Sequence, residues 1–403
     1  MRLRTIALAY PALLMLYAGC TPQPAGQDDT NLLTAVAGIT ETGATTPESP
    51  ATSATTDAPT SIRGTLASGS EYQVIQLGQG VGGEEWVIGD DSGLVRSASF
   101  LVVLFDSHYN LLQRQVVSAG VALEHIVRAD TPALYLGVTS AYSGDTDYRF
   151  AVRHRGAGAI PGLNPQVVWL NFAGGLNVPI HGRSGANFGA FDASALGPQY
   201  AGATEVIKAA ILAVVREDYA GYNVTVLSSD DGPPPDGPHA TVHFGGVDDQ
   251  LLGLADSVDQ YNVDPWENAI IYVESFAGFA VMRLSDEEMA QMVGNVASHE
   301  FGHLLGLYHT RLPTDLMDTT GTAWDLVGDQ AFSRAPLEAS VFPFGFEDSP
   351  AKLAQTVGVA PGGAESSLAK PLSTEKMQRK LALRALVQKE LRQRCGNCLH
   401  PDE

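Results

Sequence analysis

Three histidines and one glutamate in the C-terminal half of the chain have the types and spacing of a catalytic metal site. His299 and His303 lie four positions apart, so on a helix they share one face and can bind a single Zn²⁺. Glu300 is rotated by about 100° from the first ligand and can reach a water molecule at such a site without binding the metal. Gly306 can adopt positive φ and end the helix, so that the chain turns back and returns His309 to the same ion. Three neutral histidines leave a fourth position open, which distinguishes a catalytic zinc from a structural one.

A His-Glu-x-x-His sequence alone is weak evidence, because a solvated helical face can carry the same residues by chance. Here five positions are specified, since the glycine and the third histidine are also in place, and such a match is expected in only roughly 10⁻⁴ of chains of this length. The full pattern therefore predicts a zinc site at His299, His303 and His309, with Glu300 beside it.

The same stretch resembles the zinc-binding motif of the metzincin endopeptidases. That family has a methionine-bearing turn beneath the metal, and Met317 follows His309 within the segment 313–318 at a distance similar to that in the matrixin branch. Thr319 stands where some other metzincins have a zinc-binding tyrosine, so no tyrosine switch is expected. The resemblance implies an α+β (α/β/α) catalytic domain that hydrolyses protein or peptide bonds. The roles it implies are zinc ligands at His299, His303 and His309, a general base at Glu300, and a pocket floor at Met317 that does not touch the metal.

The zinc motif must lie on a helix, and the residues before it contain a clear helix start. Ser285 and Glu288 form a capping box, in which each side chain bonds the backbone N–H of the other residue. Apolar residues then recur at helical spacing up to the first histidine, and we predict that they are core residues and not ligands: Met289, Met292, Val293, Val296 and Ala297.

The segments around this helix predict a catalytic unit over residues 160–364. The expected elements are strands at 166–172, 222–227, 239–244 and 269–274 and a helix at 203–219 with Val206 in its apolar set. We expect the strands at 222–227 and 239–244 to be paired in one sheet. The segment 342–350 resembles the part of metzincins that closes the lower half of the cleft.

One short run, Gly253, Leu254 and Ala255, is expected by resemblance at the sheet edge that faces the cleft. An extended peptide substrate can add to such an edge as a further strand. An ordinary surface loop is the alternative.

Four oxygen-bearing residues follow that run and could form a Ca²⁺ cage, although their spacing is not that of an EF-hand loop. They are Asp256, Asp259, Asn262 and Asp264. Solvated acids in a turn explain the same residues equally well.

A separate N-terminal domain is predicted over residues 63–155, where short alternating strands are separated by turn residues at regular intervals. This rhythm is typical of an antiparallel β-sandwich. The segments 101–106 and 144–148 resemble the pre-peptidase C-terminal type of domain, which usually follows a protease and here precedes it. Binding of a surface or a substrate and simple packing beside the catalytic unit both remain open as its role.

An export signal is predicted over residues 1–20, because two arginines precede an apolar run that is too short to span a bilayer. The run ends in small residues before Cys20 and resembles a bacterial lipobox, although Tyr17 departs from the usual aliphatic residue. Lipid on Cys20 would anchor the exported protein to the membrane of the cell envelope. Thr21 after the cysteine resembles lipoproteins that are sent on to an outer membrane.

Two further segments flank the folded body. Residues 21–62 are rich in Thr, Ala, Pro and Ser and predict a disordered linker, since they cannot bury enough apolar surface to fold. Residues 365–403 are expected to be a basic, helical tail. Cys395 and Cys398 near its end favour a local disulfide over a redox or metal site.

The composition of the 403-residue chain agrees with this organisation. Its length predicts more than one domain, and a formal net charge of −21 makes nucleic acid an improbable partner. We therefore predict a zinc metalloendopeptidase at the cell envelope. The alternative from another class is a surface-binding or adhesion lipoprotein with a vestigial metal site, and a self-processing or single-substrate maturation protease would share the predicted chemistry.

Overall fold

A computed structural model describes residues 60–67, 72–91, 99–140 and 146–361, which form a β-sandwich followed by an α+β unit. The predicted export signal, Cys20, residues 21–59 of the predicted linker, and the predicted tail with Cys395 and Cys398 lie outside these residues. None of the helices in the described ranges is both long enough and apolar enough to cross a membrane.

The N-terminal unit is a sandwich of two four-stranded antiparallel sheets, with strand orders β1-β8-β3-β6 and β2-β7-β4-β5. The strands are β1 (Thr60–Leu66), β2 (Gln73–Gly80), β3 (Glu85–Asp90), β4 (Phe100–Phe105), β5 (Leu111–Val117), β6 (Leu123–Ile126), β7 (Thr131–Ser140) and β8 (Thr146–Arg155). Because side chains alternate across a strand, each sheet turns one apolar row inward. Ile88, Leu104, Leu136 and Phe150 are fully buried between the two sheets.

The sequence predicts sandwich strands at 72–77, 85–88, 99–105, 133–138 and 148–152, so β1, β5 and β6 were not predicted. β1 begins at Thr60, inside the segment predicted as linker, and it pairs with β8 from that residue onward, with Thr60 opposite Val152. β5 and β6 were missed because polar side chains such as Gln113 and His125 interrupt their apolar pattern. The start of the sandwich is thus earlier than residue 63.

The second unit is built on a mixed five-stranded sheet with the order β12-β9-β13-β15-β14, in which β14 runs antiparallel at one edge and the other neighbours are parallel. Its strands, with two separate hairpins, are β9 (Gln166–Asn171), β10 (Gly175–Ile180), β11 (Arg183–Phe188), β12 (Val224–Ser228), β13 (Ala240–Phe244), β14 (Gly253–Ala255), β15 (Asn268–Ile271), β16 (Arg334–Pro336) and β17 (Phe346–Asp348). Its helices are α1 (Thr204–Asp218), α2 (Asp286–Leu304), α3 (Ala323–Leu326) and α4 (Ser349–Thr356), together with 3₁₀ segments at Ala193–Leu196, Pro198–Tyr200 and Val273–Met282. The prediction that β12 and β13 pair with each other was wrong, because β9 lies between them.

Helices α1 and α2 pack together against one face of this sheet. The buried face of α1 consists of Ile207, Ile211 and Val215, whereas Val206 is 57% exposed, contrary to the prediction. Alanines elsewhere on α1 make it apolar nearly all round, so periodicity alone could not identify the buried face. The hydroxyl of Tyr219, just after α1, donates a hydrogen bond of 2.8 Å to the Ser298 carbonyl and ties the two helices together one residue before the zinc motif.

The opposite face of the sheet is covered by the β10–β11 hairpin. Ile180 of the hairpin is buried with Ile270 and Tyr272, and the Phe188 ring lies edge-on to the His243 ring. His243 is fixed by hydrogen bonds with Asn171 and Asn268, so it is a structural histidine of the core and not a metal ligand.

Candidate metal centre

Helix α2 carries the first two histidines and has the predicted capping box at its start. Ser285 N–H donates to the Glu288 carboxylate at 2.9 Å, and Glu288 N–H donates to the Ser285 hydroxyl at 3.2 Å. The helix ends at Leu304, and Gly306 follows with φ of +89°. A Cβ atom at Gly306 would lie 2.9 Å from the Asp259 carbonyl oxygen, so both the backbone conformation and the available space require glycine.

The turn after α2 brings the three predicted ligands together. One nitrogen of each of His299, His303 and His309 lies within 4.8 Å of the others, and the Nε2 atoms of His303 and His309 are 3.0 Å apart. Nδ1 of His299 lies 2.7 Å from the Leu316 carbonyl, and Nδ1 of His303 lies 2.8 Å from the Leu307 carbonyl. Because a carbonyl only accepts, each of these Nδ1 atoms donates, which leaves Nε2 of the neutral ring with its lone pair available for a metal.

Burial keeps these rings neutral. It lowers the pKa of His299 to about 3, helped by His309, and it holds the pKa of His303 well below its usual range, helped by the two other rings. The pKa of His309 is also lowered by burial, against the opposing effect of the Glu338 and Asp318 carboxylates. Neutral imidazole is the form that binds a metal ion.

The geometry and chemistry of these donors fit zinc. Two ligands at 2.0–2.1 Å in a tetrahedral arrangement are roughly 3.4 Å apart, which is close to the separation of the two Nε2 atoms. Within the described residues, no other group of histidine, cysteine or carboxylate side chains converges in this way.

Glu300 is buried beside the histidines and faces the edge strand β14. Burial raises the pKa of its carboxyl to about 8, although the Ala255 backbone N–H donates to it and acts in the opposite direction. A Cβ atom at Gly253 would lie 2.6 Å from Glu300 Cγ, so the glycine makes room for the carboxyl side chain. The predicted run of Gly253, Leu254 and Ala255 therefore forms an edge strand in direct contact with Glu300, and not a surface loop.

Met317 is fully buried, and its side chain packs against the helix that carries the first two histidines. A Cβ atom at Gly302 of α2 would lie 2.8 Å from Met317 Sδ, so the helix and the turn are in close contact. The backbone of the turn is held by Asp315, whose carboxylate accepts from Met317 N–H and from the Thr310 hydroxyl, each at 2.9 Å. Sequence reasoning missed Asp315, although an aspartate two residues before the methionine is the signal of an Asx turn.

A buried ion pair behind the site was also missed. The ammonium of Lys352 lies 2.8 Å from the Glu347 carboxylate, and these side chains are 6% and 0% exposed, respectively. Glu347 also accepts a hydrogen bond from the backbone N–H of Tyr308, the residue before the third ligand. Glu347 lies in the segment 342–350, but the resemblance of that segment implied no such role for it, and no spacing in the sequence pointed to Lys352.

The four predicted calcium ligands, Asp256, Asp259, Asn262 and Asp264, make hydrogen bonds to other groups of the protein. The Asp256 carboxylate accepts from the backbone N–H groups of His181 at 2.6 Å and Asn268 at 2.7 Å. Asp259 accepts from the Asp264 N–H at 2.7 Å. Calcium binding at this loop stays a prediction.

Comparison with known proteins reveals partial likeness only. No family model and no curated protein matches the chain. An archaemetzincin from Methanopyrus kandleri is 12% identical over 41% of this chain and 86% of its own, with a TM-score of 0.24. A zinc-dependent peptidase from Methanocorpusculum labreanum is 13% identical over 41% of this chain and 93% of its own, with a TM-score of 0.23. A pre-peptidase C-terminal domain of a collagenase from Bacillus anthracis is 21% identical over 24% of this chain and 90% of its own, with a TM-score of 0.19.

These likenesses do not establish a family. The assignment of a function to this chain rests on its own side chains.

Proposed function

We propose that this protein is a zinc-dependent endopeptidase of the metzincin type that hydrolyses protein or peptide bonds. The observation that supports the proposal most directly is the convergence of three neutral imidazoles beside a buried carboxyl group. A structural zinc site has no need of that carboxyl group, whereas hydrolysis requires a group that accepts a proton from water.

Each neighbouring group has a task in such a reaction. Zinc, when bound, supplies Lewis acidity that polarises a carbonyl and lowers the pKa of water. Glu300 accepts the proton of the attacking water and returns it to the leaving amine. The outer edge of β14 can pair with the backbone of an extended substrate and hold the scissile bond next to Glu300. Met317 and Asp315 shape and hold the floor beneath the histidines.

The decisive experiment separates metal binding from turnover. We expect Glu300→Gln, which keeps the size of the side chain, to retain one zinc per chain and to lose at least ~10²-fold in the rate of casein or peptide-library cleavage. Glu205→Gln, in which an exposed glutamate of α1 is changed, should match the wild type. Wild-type protein that binds zinc but cleaves nothing, or a Glu300→Gln variant with undiminished turnover, would defeat the proposal and favour the binding-protein alternative.

The location of the protein is a separate part of the proposal. Export and lipid attachment at Cys20 would place the peptidase at the cell envelope, on an outer membrane where the cell has one. Mass spectrometry of the N-terminal peptide after expression in a bacterial host tests this directly. An unmodified peptide that still contains residues 1–19 would contradict it.

A further inference from the structure

The sandwich and the α+β unit share a hydrophobic core next to the third histidine. Val103, Phe105 and Leu111 of the sandwich are buried against an apolar set from the second unit. That set is Tyr308, Leu337, Val341 and Phe342. The rings of Phe105 and Phe342 meet edge to face with centroids 5.7 Å apart. The shared core thus includes Tyr308, which is adjacent to His309.

The surfaces of the β-sandwich and the α+β unit are complementary in shape where they meet. A Cβ atom at Gly345, which has φ of +94°, would lie 2.5 Å from Cε1 of Phe105 across the interface. A Cβ atom at Gly137 of β7 would lie 2.8 Å from Cζ of Phe342 in the opposite direction. Each side therefore has a glycine where the other side inserts a ring, which is typical of a permanent interface packed like a protein interior.

Polar contacts fix the relative position of the two surfaces. Nε of Arg114 in β5 donates to the Val341 carbonyl at 3.0 Å, and its Nη2 donates to the Ser340 carbonyl at 3.3 Å. Phe346 N–H in β17 donates to the Tyr109 carbonyl of the sandwich at 2.9 Å. A guanidinium that bonds two backbone carbonyls holds a turn in one orientation, which an apolar contact alone cannot do.

The backbone turn that Arg114 contacts is itself hydrogen-bonded to His309, the third ligand. Val341 N–H donates to the Glu338 carbonyl at 3.0 Å, which closes a compact turn over residues 338–342. Glu338 N–H donates to the carbonyl of His309 itself, also at 3.0 Å. A continuous set of contacts therefore runs from β5 of the sandwich through this turn to the backbone of the third histidine.

The third ligand needs such support more than the other two. His299 and His303 are fixed by helix α2, whereas His309 lies beyond the turn at Gly306, in a region where β16 and β17 are only three residues long each. A ligand on an irregular segment must be held by tertiary contacts, because each loss of order lowers the affinity of a preorganised site.

We propose that the β-sandwich is part of the scaffold of the metal centre, and that Arg114 is a positioning residue that sets the location of His309 through the 338–342 turn. The inference rests on the proposed function only in taking the histidines as the zinc site. The sandwich would then support the metal centre from within the enzyme. The sequence alone left binding of a surface or substrate and simple packing beside the catalytic unit as its alternative roles.

The test measures zinc affinity in the full chain by competition with a chromophoric chelator. We expect Arg114→Ala to raise the zinc dissociation constant about tenfold, the lower end of what loss of an outer ligand support costs. Arg114→Lys should recover part of the affinity, since an ammonium can bond one of the two carbonyls. Arg155→Ala, which removes an exposed sandwich arginine paired with Glu85, should bind zinc like the wild type. The visible absorption of the Co²⁺-substituted protein should change in Arg114→Ala and not in Arg155→Ala, because it reports the geometry of the ligands.

A stability control separates positioning from general weakening of the domain. Ile88→Val trims a side chain buried only in the sandwich's own core, so it should lower the melting temperature and leave zinc affinity unchanged. The proposal is overturned if Arg114→Ala binds zinc within twofold of the wild type, or if Ile88→Val weakens zinc binding as much as Arg114→Ala does. A wild-type chain that binds zinc and cleaves no peptide would refute the proposed function alone, since the zinc measurements would still decide the role of Arg114.

Discussion

The glycine at position 253 offers a test of the edge strand and of Glu300 at once. Replacing it by alanine adds a single methyl group, which would lie 2.6 Å from Glu300 Cγ and Oε1 and 2.8 Å from Cδ. Gly253 is in β14 with an ordinary backbone conformation, so the substitution introduces no backbone strain. Its whole effect should therefore come from this contact.

The size of the effect follows from the distances. Carbon atoms rest about 3.5–4.0 Å apart, so the Glu300 side chain must move by roughly 1 Å, or the strand must move away from it. A misplacement of about 1 Å in a catalytic group can cost ~10²-fold in rate. The three atoms nearest to the new methyl group all belong to Glu300 and none to a histidine, so zinc affinity should change little.

The assay for Gly253→Ala combines zinc stoichiometry with kcat/KM on a fluorogenic peptide. We expect a full complement of zinc and a fall of about 10²-fold in kcat/KM. Gly278→Ala is the matched control, because a Cβ atom there meets nothing within 4 Å and activity should be unchanged. A Gly253→Ala variant with normal kcat/KM would refute the placement of Glu300 against β14, and a variant that loses zinc would show that the edge strand supports the ligands instead.

Two further predictions concern stability. Gly306→Ala should lower the free energy of unfolding by at least ~2 kcal/mol in a urea titration, because it adds the cost of positive φ to a 2.9 Å contact with the Asp259 carbonyl. Gly182→Ala is the control, because Gly182 has φ of +64° and open space around it, so this variant should show the cost of the backbone conformation alone. Equal losses of stability in the two variants would contradict the steric contribution at Gly306. Burial, assisted by neighbouring aspartates, raises the pKa of Glu267 to about 7 against a hydrogen bond from Ser257. The folded state therefore holds this proton between about pH 4.5 and 7 while the unfolded state has lost it, so the free energy of unfolding should fall by about 1 kcal/mol across that window, after allowance for solvent screening. Glu267→Gln should remove this slope, and an unchanged slope in urea titrations at pH 5 and pH 8 would contradict the assignment.

Local spacing explains why the convergence of the three histidines could be predicted from the sequence. The first two histidines are placed by helix geometry, and Gly306 and the short turn after it bring the third one back within six residues of the second. Ser285 and Glu288 likewise form a capping box through contacts three residues apart. Interactions of this range depend on the order of residues along the chain and need no knowledge of the fold.

The features that were missed depend on contacts between distant segments. Arg114 bonds Val341, which lies 227 positions away, and no pattern within either segment indicates this. The prediction that β12 pairs with β13 was wrong for the same reason. Both have the apolar composition of buried strands, but no pattern within either strand indicates that β9 lies between them. The hairpin of β10 and β11 was missed because glycine and asparagine interrupt its apolar alternation.

The buried ion pair of Glu347 and Lys352 shows what contacts between distant segments do for the loop that carries the third ligand. A buried pair gains little net stability over apolar residues of the same size, because removing both charges from water costs about as much as their attraction returns. Stability alone therefore does not explain why two charges lie in the core beneath Tyr308. Glu347 does what an apolar side chain cannot, since it accepts the N–H of Tyr308 while Lys352 neutralises its charge. With Glu338 N–H bonded to the His309 carbonyl, consecutive residues of the ligand loop are held by hydrogen bonds from outside it. The ion pair thus contacts the residue before His309, and Arg114 contacts the 338–342 turn from the side of the sandwich.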